Sequence, residues 1–352
     1  MSTADASLGL RNQSIRQASL PAWSLAAVTV GAVLLSLLLF ATTGFAGDAD
    51  FLVVAVTVTV LAIASLSWVV EGKRRAIDRI ATNAALVALV VTLIPLGFVI
   101  GYVIKKGRGV FGWSFLTHSL ADTGPLQAGG GVGHAIIGTL EQVLLASAFS
   151  VPLGILVAIF ITEYGGRRLA TAVRFLIDVM TGIPSIVAGL FVLAFWIFVL
   201  HQGASGVAAA IALAIIELPI VVRTSEEMIR LVPAALREAS YALGIPKWRT
   251  ILRIVLPTAA TGITTGVMLA IARVIGETAP VLLVAGNSNY FNNNPFKGEQ
   301  ASLPVYIFQN AQSSSTFNVQ RAWGAALTLI LIVVVLYVAA RLLTRRNQLA
   351  RR

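Results

Sequence analysis

REASYALGIPKWRTILRIVLP, residues 237–257, separates two long apolar runs, at about 204–222 and 259–285. The segment carries its own helical punctuation. Val232–Leu243 reads as a short helix. Pro233 suits its first turn, where a missing N–H is not needed, and Gly244 falls where a helix ends in a left-handed residue. Pro246 opens a second helix, in which Trp248, Ile251, Leu252 and Val255 recur at three- and four-residue intervals. Lys247, Arg249 and Arg253 take the other positions, and Pro257 precedes the next apolar run. The expectation is two short helices joined by a glycine turn and held close to a membrane surface. On pattern alone, an unpartnered amphipathic juxtamembrane segment explains the stretch equally well.

Working outward, apolar runs recur at about 23–44, 51–70, 81–104, 136–162, 175–200 and 323–340, besides the two above. A span needs about 20 apolar residues to cross about 30 Å of hydrocarbon. The chain is 57% hydrophobic and 12% charged, about half the charged share of a soluble domain. The expected fold class is an all-α membrane protein of about eight transmembrane helices. Trp23–Gly44 has no charged residue and exceeds the apolar core of about 7–15 residues in a cleavable signal peptide, so it reads as a retained helix. There is no cysteine, hence no disulfide framework and no thiolate metal site. His118, His134 and His201 are scattered without a ligand pair at helical spacing, so no metal site is expected.

The net charge of +11 suggests nucleic acid until its distribution is read. With the N-terminus placed inside, inside segments hold 20 Lys and Arg, outside segments hold 5, and Arg273 alone lies within a span. That bias follows the positive-inside rule and puts both termini in the cytoplasm, N-in and C-in. The organisation expected is a cytoplasmic tail over 1–22, a transmembrane hairpin over 23–72, a six-span core over 73–345 with a loop over 223–257, and a basic tail over 346–352. The hairpin turns at Gly47-Asp48-Ala49-Asp50. Two outside segments are longer, Lys105–Gly133 with Gly129-Gly130-Gly131, and Asn287–Gln320 with Asn292-Asn293-Asn294-Pro295. Each either lies against an external partner or is a solvated loop.

Glu238-Ala239-Ser240, three residues, Gly244, nine residues and Ile254-Val255-Leu256-Pro257 together resemble the EAA loop of binding-protein-dependent ABC importers. Ser240 in place of a second alanine is the one departure. The resemblance implies a type I ABC importer permease core of six helices and a coupling helix that docks on an ATP-binding subunit. Its residues here are Arg237, Glu238, Ala239, Ser240, Gly244, Leu256 and Pro257. Small side chains at Ala239, Ser240 and Ala242 permit close approach, and Arg237 and Glu238 offer charges that set register across an interface. No G-x-x-x-x-G-K-[ST] phosphate loop occurs, so ATP chemistry belongs to another polypeptide and this chain is not itself an enzyme.

Gly182-Ile183-Pro184-Ser185-Ile186-Val187, Leu218–Glu227 and Arg273-Val274-Ile275-Gly276-Glu277-Thr278-Ala279-Pro280 look like the phosphate-specific permeases, closer to the PstA type than to the PstC type. The likeness covers roughly 74–345, so the hairpin before it stays without an assigned role. It implies a complex with two PstB-type ATPase copies, a PstC-type second permease and a PstS-type external phosphate-binding protein in a prokaryotic inner membrane. ATP and Mg would be bound by the ATPase, with no cofactor in this chain.

Ionisable residues inside a membrane are costly and usually functional. Arg273 lies about 14 residues, or about 21 Å, into its apolar run. Glu277, four residues on, would share its helix face. Either Arg273 meets an oxyanion, whose geometry a guanidinium matches, with Glu277 neutralising it when the path is empty, or the two form a structural ion pair. Arg223 and Glu226 either line the same path or anchor the start of the coupling loop. Glu141, Asp178 and Glu217 also lie in or near spans. Pro184 is expected to bend a span by removing one backbone hydrogen bond, with Ser185 placed to satisfy the freed carbonyl. A PstC-type partner, another oxyanion, and an ion-gradient-driven secondary carrier stand as the alternatives to a phosphate permease.

Overall fold

The structure is a computed structural model that describes residues 22–43 and 48–349. The tail over residues 1–21, the start of the hairpin turn at 44–47 and the last three residues lie outside the described residues. All the regular elements among the described residues are helices. Two compact units emerge, one ending at Ile100 and one beginning at Gly101.

The first unit holds α1 (Ala22–Thr43), α2 (Asp48–Glu71) and most of α3 (Lys73–Gly107). Gly72, at a φ of +89°, makes the turn between α2 and α3. The turn is held by a two-pronged pair in which Arg79 Nε and Nη2 donate to Glu71 Oε2 and Oε1 at 2.7 and 2.8 Å. Glu71–Arg79, a run of charged residues in the sequence, is thus the end of α2 and the start of α3.

The second unit carries α4 (Trp113–Thr117), α5 (Gly133–Ile159), α6 (Arg167–Gly182), α7 (Ser185–Val192), α8 (Gly206–Arg230), α9 (Ala234–Ala242), α10 (Lys247–Thr250), α11 (Leu256–Val274), α12 (Ala279–Val284), α13 (Leu303–Ala311) and α14 (Thr316–Leu349). α5, α7 and α10 each run on into a π-helical turn, Phe160–Tyr164, Leu193–Val199 and Ile251–Val255. The alanine-rich α8 is the buried centre. Its Ala208, Ala209, Ala212 and Leu213 are nearly or wholly inaccessible, because small side chains let neighbouring backbones close in. A Cβ on Gly154 of α5 would come within 2.7 Å of Val221, and one on Gly266 of α11 within 2.6 Å of Thr224.

Among the described residues six helices are long and apolar enough to cross a bilayer, and the α6–α7 pair makes a seventh if counted as one span. α1 has 22 residues, but its described apolar stretch, Ala27–Leu38, is shorter than a crossing. Two of the eight expected runs are broken. The run at 175–200 is two helices bent by 99°, so Pro184 does not kink one helix but divides two. Ile183 is extended (φ −74°, ψ 126°), as a residue before proline prefers. The run at 259–285 ends as a helix at Val274, and Gly276–Thr278 separate it from α12.

At the end opposite the 237–257 hairpin, the two long segments form a folded cap rather than solvated loops. Leu303 and Tyr306 of α13 are buried with Phe115 and Val132, and burial pushes the Tyr306 phenol up to about 12. Arg321, 2% exposed, donates to the carbonyls of Gly129 and Gln127 and to Asn318 Oδ1. Gln300 is the centre of the cap. Its Nε2 donates to Glu141 Oε2 at 2.6 Å and to the Asn292 carbonyl at 3.0 Å, while its Oε1 accepts from Gln142 at 3.2 Å. Gly138 and Gly206 make room, since a Cβ on either would lie 2.0–2.1 Å from Ala301 O or Gln300 Oε1. Removing a buried partner leaves its mates unsatisfied at about 1–3 kcal/mol each. Gln300→Ala is therefore expected to expose the 286–300 strap to limited proteolysis at least several-fold faster than wild type; unchanged cleavage would contradict this bonding scheme.

Candidate functional site

The 237–257 hairpin is two short helices with a glycine turn, as its punctuation indicates. Gly244 sits at a φ of +71°. The N–H of Gly244 donates to Tyr241 O and that of Ile245 to Ser240 O, the paired bonds of a Schellman ending. The Ser240 and Thr250 hydroxyls join at 2.8 Å and lock the two arms together. Leu256 N–H reaches back five residues to Ile251 O, and Pro257, which has no N–H, follows in the first turn of α11.

The hairpin residues divide by face. Glu238, Ala239, Ala242 and Gly244 are exposed, with Leu236, Tyr241, Leu243 and Trp248 around them. Leu243 is 80% exposed. A knob of that kind on a rigid, small-residue surface fits a protein groove better than water. Ser240 points the other way, 2% exposed, so it does not offer close approach to a partner. Leu256 packs inward against Ala158, Ile229 and Ile263. Arg237 also turns inward. Its Nε and Nη2 donate to Glu163 Oε1 at 3.0 and 2.9 Å, and its Nη1 and Nη2 donate to the Val232 and Ile229 carbonyls at 2.6 and 3.0 Å. Its charge is spent within the chain and does not set register across an interface. Glu163 is the residue that sequence reasoning missed. Its partner lies 74 positions away, so no local pattern marks it.

Arg273 is in the last turn of α11. Glu277 lies beyond the helix end, in the break, with its N–H bonded to Val274 O. The two do not share a helix face, because Gly276 and the end of α11 intervene. Gly262 packs on Met228 and Gly266 on Thr224. That antiparallel register of α11 against α8 sets Arg273 level with Glu217, midway along α8 and about 9 Å along the axis from Arg223. Arg273 is exposed and has no ion pair among the described residues, and Glu277 is half-buried. The helices that follow the two breaks, α7 and α12, pack on each other. A Cβ on Gly189 of α7 would lie 2.6 Å from Pro280 Cα at the start of α12. Irregular backbone at this depth is tolerated only where protein covers it or a cavity adjoins it.

Arg223 and Glu226 are together, but in a network that ties α6 to α8. Glu226 Oε1 accepts from Arg174 Nε at 2.7 Å and from Arg230 Nη2 at 2.6 Å, and Arg223 pairs with Asp178 and lies 3.6 Å from Glu226 Oε2. One nearly buried carboxylate thus offsets parts of three arginines. Glu226→Ala would take the shared acceptor from three partly exposed arginines, at about 1–3 kcal/mol. The expected result is poor recovery of folded protein in detergent, seen as an early melting transition; a wild-type transition would contradict it. Glu217 is wholly buried, with Oε1 accepting from Ser147 at 2.8 Å and Oε2 unpartnered. Glu141 belongs to the cap through Gln300.

Residues 150–348 match the family model described as binding-protein-dependent transport system inner membrane component. The phosphate transport system permease protein PstA 1 of Mycobacterium tuberculosis (strain ATCC 25618 / H37Rv) is 46% identical over 284 residues, covering 79% of this chain and 92% of that protein. The PstA of Yersinia pestis is 40% identical over 279 residues, covering 79% and 93%. A chain of a bacterial ABC transporter involved in the import of the acidic polysaccharide alginate aligns with a TM-score of 0.56 over 77% of this chain and 99% of that one. At 16% identity this last likeness concerns the fold alone.

Proposed function

The chain belongs to the binding-protein-dependent transport permeases and, among them, to the PstA family, and we propose that it forms one half of an inorganic phosphate path. The observation that carries the reading is Arg273. A guanidinium level with the middle of a buried span, with no ion pair among the described residues, is costly to leave against lipid. It needs a second subunit and an anion to face. A PstC-type permease supplies the first and phosphate the second, with Glu277 at the adjoining break as the neutralising group while the path is empty.

Energy comes from outside the chain. The exposed face around Glu238, Ala239 and Leu243 docks on a PstB-type ATPase that holds ATP and Mg, in two copies. A PstS-type binding protein delivers phosphate at the cap end. The 20-to-5 division of basic residues puts the hairpin and both termini in the cytoplasm and the cap outside, in a prokaryotic inner membrane. Residues 73–345 form the permease core and the first two helices an accessory hairpin. Substrate competition in the assembled complex tests the anion. Phosphate is expected to compete with labelled phosphate, and sulfate and molybdate are not; equal competition by sulfate would contradict the phosphate assignment.

A further inference from the structure

Both arms of the 237–257 hairpin end on one residue. From α9, Arg237 donates two bonds to the Glu163 carboxylate, whose side chain is 6% exposed. From α10, Lys247 Nζ donates to the Glu163 carbonyl and lies 5.1 Å over the Tyr164 ring. Arg237 also holds the Ile229 and Val232 carbonyls at the end of α8. The hairpin itself is stiff, with its turn closed by the Gly244 and Ile245 bonds and its arms joined through Ser240 and Thr250. A stiff element fixed at two points to one turn cannot move without moving that turn.

The turn is Phe160–Tyr164, where α5 widens into a π-helical ending and Gly165 N–H bonds Phe160 O. Such π-helical turns are rare and recur at functional sites. From this turn α5 runs back past Pro152, helical throughout, to Glu141 and Gln142 two turns from its start, which hold Gln300 of the cap strap. The Glu163 joint, in the turn that ends this helical segment, and the Gln300 contact, two turns inside its start, are therefore 22 residues or about 33 Å apart.

We infer that Glu163 is the positioning residue that passes hairpin displacement into α5, and through α5 to the strap at the cap. This rests on the reading that the hairpin docks on an ATPase. Glu163 touches neither phosphate nor nucleotide; it acts by keeping the hairpin and α5 as one moving body.

The test uses the complete complex, with its ATPase, second permease and binding protein, in proteoliposomes. Phosphate taken up per ATP hydrolysed is the readout, since a merely structural role lowers the amount of complex and not this ratio. Glu163→Gln is expected to keep the ATPase bound and hydrolysing while uptake per ATP falls roughly tenfold. An unchanged ratio overturns the inference. The chain has no cysteine, so a Glu163→Cys, Arg237→Cys pair in otherwise cysteine-free subunits can be bridged by a short bis-methanethiosulfonate linker and released by reductant. Bridging is expected to restore the ratio and reduction to lose it again in one preparation. Equal ratios in the two states, or failure of the bridged pair to assemble, overturn the inference. A wild-type complex that never retains the ATPase would instead remove the docking reading, before any variant is made.

Discussion

Arg273→Gln is expected to abolish phosphate uptake while the complex still assembles with its ATPase. The side chain has no ion pair among the described residues, so its removal breaks no internal bond and leaves no carboxylate stranded. Under the proposed function, what it removes is the forked donor for an oxyanion. Loss of one partner from a desolvated, hydrogen-bonded charge pair costs about 2–5 kcal/mol, so uptake falls on the order of 100-fold or more. Arg273→Lys keeps the charge and loses the fork, and is expected to recover part of the rate. Uptake within a few-fold of wild type for the Gln variant would remove Arg273 from the path.

Gly244→Pro is expected to uncouple hydrolysis from transport. The residue holds a φ of +71° and donates its N–H to Tyr241 O. Proline fixes φ near −65° and has no N–H, at a cost of about 3 kcal/mol in helical settings. The Schellman ending would open and the arms would lose their fixed angle. Basal ATP hydrolysis should persist, while its stimulation by the loaded binding protein and uptake itself are lost. Gly244→Asn is the control, since asparagine visits the left-handed region at modest cost; it is expected to stay near wild type. Retained stimulation in the Pro variant would contradict the coupling role of the turn.

Local punctuation was legible in the sequence. Pro233, Gly244 and Pro246 marked the hairpin because each acts on its own backbone within one turn. The apolar runs located the spanning helices for the same reason. What failed depended on assuming that an apolar run is one helix. Ile183-Pro184 and Gly276–Thr278 break two such runs, and the second break separated Glu277 from the face of Arg273. Side-chain direction was the other loss. Arg237 and Ser240 sit in a motif that suggests an outward face, but Glu163 and Thr250 turn them inward. The Arg174–Glu226 and Glu141–Gln300 pairs join positions 52 and 159 apart, distances over which no spacing rule operates.

The cap shows the same division. Gly129-Gly130-Gly131 and the Asn-rich stretch read as loops, and they are irregular. The segments become a folded layer through contacts between them, with Arg321 gathering the Gly129 and Gln127 carbonyls and Leu303 N–H reaching Thr139. Those bonds depend on α13 already lying against both α5 and α14.

The measurement that bears most directly on the central claim is uptake of labelled phosphate into proteoliposomes that hold this chain with its second permease, with and without the ATPase subunit. The account predicts uptake only when the ATPase, ATP and the phosphate-loaded binding protein are all present, with no response to an imposed ion gradient. Gradient-driven phosphate uptake by the permeases without the ATPase would contradict it.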